Sequence, residues 1–292
     1  MTTSRIAVVT GATQGLGLAL ADGLAHRMDP DDLVLLTGRD PGRVAAAVRG
    51  IGGAEAKVEG RVLDVTDTAA VEALAGQLGS VDIVFSNASA RMTPQKSPAE
   101  QVDLLVETNN LGTIRMLTSF EPILRNGGRL IVVASSFGTL GHLDPRVRAP
   151  LGEARTLEDV AAAVAAWRRS VHEGTAEAQG WPHWLNVPSK VAQVAAVRAV
   201  AARRRERDLA EGTLIAAACP GLIDTDASRP WFADMSQAQT PAQAAEALLD
   251  LALTPEVDFA FHGELVRFGQ VLAWETGSAP EARAGVAATR RD

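Results

Sequence analysis

The 292-residue chain contains no tyrosine. Any mechanism that needs a phenol is excluded at once, and this absence is the main question the sequence poses. Aromatic residues make up only 4% of the chain, and cysteine occurs once. A single cysteine excludes an internal disulfide framework and cannot by itself supply a thiolate metal site, so a reducing compartment is the simpler expectation. No run approaches the roughly 18 uninterrupted apolar residues of a membrane span. Met1 to Arg5 enters a strand-like run directly and leaves no room for a cleavable signal peptide, so a cytoplasmic protein is expected. An excess of base is also missing: 28 Lys plus Arg against 35 Asp plus Glu give a net charge of −7. That balance argues against nucleic acid or an anionic membrane as a partner. His26, His142, His172 and His262 lack metal-ligand spacing and have no accompanying acidic cluster, so no metal is expected.

What is present is the composition of a soluble globular chain, 47% hydrophobic and 22% charged. Short apolar runs at Ile6–Val9, Leu33–Thr37, Val58–Leu63, Val81–Phe85, Leu130–Ala134, Leu214–Ala218 and Glu264–Val266 read as strands covered on both faces. Longer Ala/Leu-rich stretches lie between them, among them Leu16–Met28, Arg43–Arg49 and Ala69–Leu78. This alternation predicts an α/β fold: a doubly wound, Rossmann-type parallel sheet of about seven strands with helices on both faces. Residues 1–276 are read as one domain, and 277–292 as a flexible tail. A helical insertion interrupts the rhythm near 138–182. Within it, Thr156 and Asp159 resemble a capping box, and Val160, Val164, Trp167 and Val171 share one helical face. Either a surface helix packed on the domain or a cap over a substrate entrance fits that pattern.

The first strand leads through Thr10 into Gly11-Ala-Thr13-Gln14-Gly15-Leu16-Gly17 and then a helical pattern. In that context the glycines permit a tight turn whose N–H groups and helix dipole can face a pyrophosphate. The Gly-x-x-x-Gly-x-Gly spacing resembles that of the short-chain dehydrogenase/reductase family, and further landmarks follow in order. Leu63-Asp64-Val65 resembles its adenine-contacting position, and Ser86-Asn87-Ala88-Ser89 resembles its Asn-Asn-Ala-Gly. Thr108-Asn109-Asn110-Leu111-Gly112 resembles the segment with its catalytic Asn, and Pro220-Gly221-Leu222-Ile223-Asp224-Thr225 the loop over the nicotinamide. The resemblance spans about residues 5 to 270. The long insertion is similar to that of the carbonyl reductase branch, which implies a monomer. At the end of the second strand Arg39 stands where an acid would hold an NAD ribose. A guanidinium there suits a 2′-phosphate, so NADP(H) is favoured over NAD(H). Asp40 could instead pair with Arg39 on the surface.

The resemblance also implies the reaction centre. Ser135, chosen over Ser136 by its distance to Gly138, would contact a substrate oxygen. Lys190 would hold the nicotinamide ribose, and Asn109 would anchor a relay water. Where the family has its tyrosine, the register set by Gly180, Pro182 and Lys190 places Asn186. Asn offers a hydrogen-bond donor but no transferable proton. Three readings remain open. The chain is a carbonyl reductase or alcohol dehydrogenase whose proton comes from Lys190, a relay water or His183; or it catalyses a non-redox cyclisation, isomerisation or elimination on a small molecule; or it is a cofactor-binding regulator. Trp231 and Phe232 fit a substrate lid or a core contact. Cys219 reads as an inert packing thiol, and the basic run Arg203–Arg207 as cations near a helix end rather than a nucleic-acid patch.

Overall fold

The computed structural model describes residues 4–275. Chain order is β1 (Ile6–Val9), α1 (Gly15–Ala25), β2 (Leu33–Gly38), α2 (Pro41–Gly50), β3 (Lys57–Val62), α3 (Thr68–Leu78) and β4 (Val81–Ser86). There follow α4 (Pro98–Leu105), a π turn (Val106–Leu111), α5 (Gly112–Phe120) and β5 (Leu124–Val133). The insertion carries α6 (Ala149–Gly152), α7 (Leu157–His172) and α8 (Ala176–Gln179). The chain continues through α9 (Asn186–Glu211), β6 (Leu214–Ala218), α10 (Pro241–Leu253), β7 (Leu265–Arg267) and β8 (Gln270–Leu272). The proposed tail lies outside the described residues.

The strands form one sheet in the order β3-β2-β1-β4-β5-β6-β7-β8, parallel except for the β7–β8 pair. Successive side chains on a strand point to opposite faces. Val8, Leu35, Val84, Leu130 and Val132 therefore join one core, with α9 and the insertion. Val9, Val34, Leu36, Phe85 and Ile131 join the other, beneath α1, α2 and α10. Burial on both faces is why these strands read as unbroken apolar runs. After β3 the chain returns to the other side of β1, which opens a crevice above the carboxyl ends of β1 and β4.

The structure departs from the sequence reading in three places. The sheet has an eighth strand, β8, closing a hairpin on Phe268-Gly269; Phe268 takes φ +49°, a turn no Asn-Gly signal announces. β5 begins at Leu124, so the turn-like Asn126-Gly127-Gly128 lies within it, accommodated by a register shift opposite Val81 and Ile83. The helix after the insertion begins at Asn186, five residues ahead of the Ala/Val-rich run from Val191. Pro188 did not prevent this, because first-turn amides have no intrahelical acceptor to lose.

Helix α7 carries the predicted capping box, with Asp159 N bonded to Thr156 Oγ1 at 3.1 Å and Thr156 N to Asp159 Oδ2 at 2.9 Å. Val160, Val164, Trp167 and Val171 are all buried in the main core, as packing on the domain requires. Its Arg168 and His172 reach Asp103 on α4 at 2.6 and 2.8 Å. These contacts make α7 a buttress of α4.

Candidate active site

The residues read as a phosphate loop sit at the carboxyl end of β1, in the crevice. Gly11 has φ +63°, and a Cβ there would lie 2.8 Å from the Ala88 Cα, so the two strand ends meet backbone to backbone. Thr10 is fully buried; its hydroxyl donates to Phe85 O at 3.3 Å and accepts from the amides of Asn87 and Ala88 at 2.9 and 3.0 Å. Asn87 Nδ2 in turn donates to Thr10 O at 2.9 Å. Thr10 and Asn87 thus tie the loop together, leaving backbone and glycine to face a ligand. Gln14 precedes α1 without capping it through its side chain. The first amides of α1 are therefore left for an anion, where the helix dipole also favours negative charge.

Arg39 is exposed at the end of β2 and has no ion-pair partner among the described residues. Asp40 does not pair with it: its carboxylate caps α2, accepting from Arg43 N at 2.8 Å. This cap positions Arg43, which the sequence reading passed over, beside the loop, where its guanidinium contacts Gln14 Oε1. The signal was a basic residue one helical turn after a capping Asp. Thr13 lies against Gly38, where a Cβ would meet its methyl group. Asp64 accepts from Thr66 N and Thr66 Oγ1 at 2.9 and 2.8 Å, and the Val65 side chain packs on Gly112.

The second wall is the loop after β6. Gly221 has φ +81°, and Gln239 Nε2 holds Pro220 O at 3.1 Å while Ile223 bridges to Gln239. This brings Thr225 over the phosphate loop, 3.7 Å from where a Gly15 Cβ would be. Farther out, Arg91 and Asp226 pair at 3.3 Å between the β4 and β6 loops. An open helix terminus, a backbone cradle with no room for side chains, and an unpaired Arg39 fit a dinucleotide phosphate backbone.

The residues read as the reaction centre come from the end of β5, the π turn and α9. Gly138 lets the Ser135 loop close on α9: a Cβ there would stand 3.0 Å from Ser135 O and 3.2 Å from Lys190 O. Ser135 is half-buried, and its Oγ accepts from Phe137 N at 3.4 Å. Asn186 is half-buried at the first turn of α9, and its carboxamide bonds no other described residue. Lys190 lies one turn along the same helix, so the two share a face. Its Nζ donates to Val133 O at 3.2 Å, two residues before Ser135, and to Gln193 Oε1 at 2.8 Å. Burial lowers the Lys190 ammonium to about 8.

Asn109 is buried in the π turn, a local geometry frequent at functional sites. Its Oδ1 accepts from Ala90 N at 2.8 Å and Ser89 Oγ at 3.2 Å, and its Nδ2 donates to Ser189 Oγ at 3.4 Å. It therefore binds the β4 loop to α9. Phe137 and Trp184, each two residues from Ser135 or Asn186, meet edge to face at 5.0 Å, and Trp231 and Phe232 pack on Trp184 at 5.9 and 6.2 Å. These aromatic rings form an apolar roof beside the corner. His183 does not join it. It is 70% exposed and paired with Glu177 at 2.6 Å.

Two other readings can be placed. Burial raises the Cys219 thiol, which suits packing rather than nucleophilic work. The basic run near the end of α9 is held in ion pairs: Arg204 contacts Glu121, just after α5, and pairs with Asp208 at 2.7 Å, and Arg207 pairs with Glu211 at 3.0 Å. No group of three or more potential metal ligands occurs among the described residues, and no described helix is long and apolar enough to cross a membrane.

Residues 5–144 match the family model described as short chain dehydrogenase. Over that stretch the chain is similar to the short chain dehydrogenases. It is 28% identical to carbonyl reductase (NADPH) 1 of Sus scrofa, over 95% of this chain and 96% of that protein. With carbonyl reductase (NADPH) 3 of Rattus norvegicus it shares 29% identity, over 93% and 99%. Among solved structures, menthone neomenthol reductase from Mentha piperita superposes with a TM-score of 0.72 at 23% identity, covering 92% of this chain and all of that one. That likeness supports the fold. The chain is thus similar to short chain dehydrogenases that act as oxidoreductases on carbonyl compounds.

Proposed function

We propose that this chain is an NADP(H)-dependent oxidoreductase acting on a carbonyl or alcohol group of a small molecule, with a proton donor other than tyrosine. The observation that carries the reading is Lys190: a buried lysine, its ammonium held on Val133 O two residues before Ser135 and lowered to about 8. A buried ammonium without a carboxylate partner is costly in a core, and a role at the adjoining corner accounts for it. The relatives named for NADPH and the unpaired Arg39 support the choice of cofactor.

When bound, the nicotinamide would supply or accept a hydride. The phosphate loop and α1 terminus would hold the pyrophosphate, Arg39 with Arg43 a 2′-phosphate, and the loop from Pro220 to Thr225 would cover the nicotinamide. Reduction of a ketone leaves an alkoxide that must gain a proton. The Ser135 hydroxyl and the Asn186 carboxamide would donate hydrogen bonds to that oxygen as charge develops on it. The proton would come from Lys190, whose ammonium is acidic enough to release it and is regenerated from solvent.

Calorimetric titration with NADPH and NADH separately tests the cofactor, with micromolar binding of NADPH and weaker binding of NADH expected. Ketone reduction by the wild type and by Asn186→Tyr then tests the chemistry, and the variant should be faster. A second reading, a non-redox step on a small molecule, rests on the absence of tyrosine. It takes precedence if neither nucleotide binds.

A further inference from the structure

Helix α9 presents an almost entirely apolar face to the core, with Val191, Ala192, Val194, Ala195, Ala196 and Val197 all buried. Gln193 interrupts it. The residue is 2% exposed, and a carboxamide buried there is costly unless both of its ends are bonded. Both are. Gln193 Oε1 accepts from Lys190 Nζ at 2.8 Å, and Gln193 Nε2 donates to Thr113 Oγ1 on α5, also at 2.8 Å. Thr113 is itself 2% exposed, so the amide is bonded at both ends away from bulk water.

We infer that Gln193, braced by Thr113, is a positioning residue that orients the Lys190 ammonium at the Ser135–Asn186 corner. The inference rests on the reading that Lys190 serves the reaction. An ammonium has three N–H directions in fixed tetrahedral relation. Val133 O and Gln193 Oε1 take two of them and so set the third, which remains for a ligand. With no phenol in the chain to face the ammonium, a neutral amide acceptor does two things. It lowers the cost of burying the charge, and it leaves the lysine acidic, which a carboxylate at the same distance would prevent. The surrounding elements are consistent with this. From β5 the lysine meets a carbonyl, and from α5, through Gln193, a hydroxyl. The titratable group facing it is the Cys219 thiol beyond β6, itself pushed up by burial.

The test uses the full chain labelled with ¹³C at the lysine ε-carbons. Only Lys57, Lys96 and Lys190 contribute signals, and the first two are exposed. Lys190 is assigned by loss of its signal in Lys190→Gln. In the wild type its midpoint should fall near 8. Gln193→Glu should raise that midpoint by about one pH unit or more, and Gln193→Met should lower it by a similar amount. The pH profile of turnover should move in the same directions, while Lys57 and Lys96 stay unchanged. A Lys190 midpoint that is unmoved in folded Gln193→Glu overturns the inference, and this variant is close enough in shape to decide the matter if Gln193→Met does not fold. Shifted midpoints in a protein that binds neither nucleotide would support the role of Gln193 while removing the proposed redox function. Shifted midpoints with an unshifted pH profile in an active enzyme would overturn the positioning role.

Discussion

The Asn87 side chain donates to the Thr10 carbonyl at 2.9 Å, while the Thr10 hydroxyl accepts from the Asn87 amide at the same distance. Two residues that the sequence points to as cofactor contacts are thus one another's partners across the carboxyl ends of β1 and β4. On the proposed reading, they contribute to cofactor binding through the backbone they hold.

Thr10→Val keeps the shape and removes the hydroxyl. It leaves the amides of half-buried Asn87 and Ala88 without that acceptor, at a cost of roughly 1 to 3 kcal/mol. Chemical denaturation should show that loss, and Thr10→Ser should recover most of it. A value unchanged from wild type would mean that the two strand ends are held by other contacts.

Lys190 gives stability a definite pH dependence. Its folded-state acidity, about 8, lies below the ordinary 10.5. Below pH 8 both the folded and unfolded chains carry the proton, and the folded state bears the full cost of the buried charge. Between about 8 and 10.5 the unfolded chain binds more protons, so this cost is relieved as pH rises. Relative to Lys190→Met, the wild type should gain on the order of 3 kcal/mol across that window. Urea denaturation of both proteins at pH 7 and at pH 10 measures the difference, and a flat difference would mean that Lys190 is not buried as a charge.

On the proposed reading, Arg39 discriminates between the nucleotides. Arg39→Ala should weaken NADPH binding by about 10- to 100-fold, the worth of a charge-assisted hydrogen bond to phosphate, and leave NADH binding nearly unchanged. Arg43→Ala should have a smaller effect in the same direction, because its guanidinium is shared with Gln14. Equal losses for both nucleotides would move Arg39 away from the 2′-position.

The ion pairs on α9 should differ sharply in value. Asp208 is fully inaccessible beneath Arg204, and Asp208→Ala should cost roughly 3 kcal/mol by leaving a buried guanidinium with Glu121 alone. Glu211→Ala, which removes the partner of the exposed Arg207, should cost under about 1 kcal/mol. Thermal unfolding of the two variants side by side is a sufficient comparison.

Much of the fold is legible in local chemistry. The apolar runs predicted Ile6–Val9 and Leu214–Ala218 as they occur, and the Thr156 cap and the buried face of α7 followed from spacing alone. The start of β5 was hidden because sheet pairing, which is a long-range contact, overrode the turn-like residues Asn126–Gly128; β8 was hidden because the Phe268-Gly269 turn before it carries no familiar turn signal.

The sequence by itself determined the alternating architecture, the glycine-rich loop after β1, and the absence of any phenol. These depend on residue identity and on periodicity along the chain. Only the tertiary structure decided how the side chains are employed. It turned Thr10 and Asn87 toward each other, placed His183 in solvent against Glu177, set Asp40 as a cap rather than a partner of Arg39, and brought Gln193 between Lys190 and Thr113. Each of these outcomes depends on which neighbour satisfies a polar group once water has left. Except where the partner is near in sequence, as for Asp40, spacing along the chain cannot specify that neighbour.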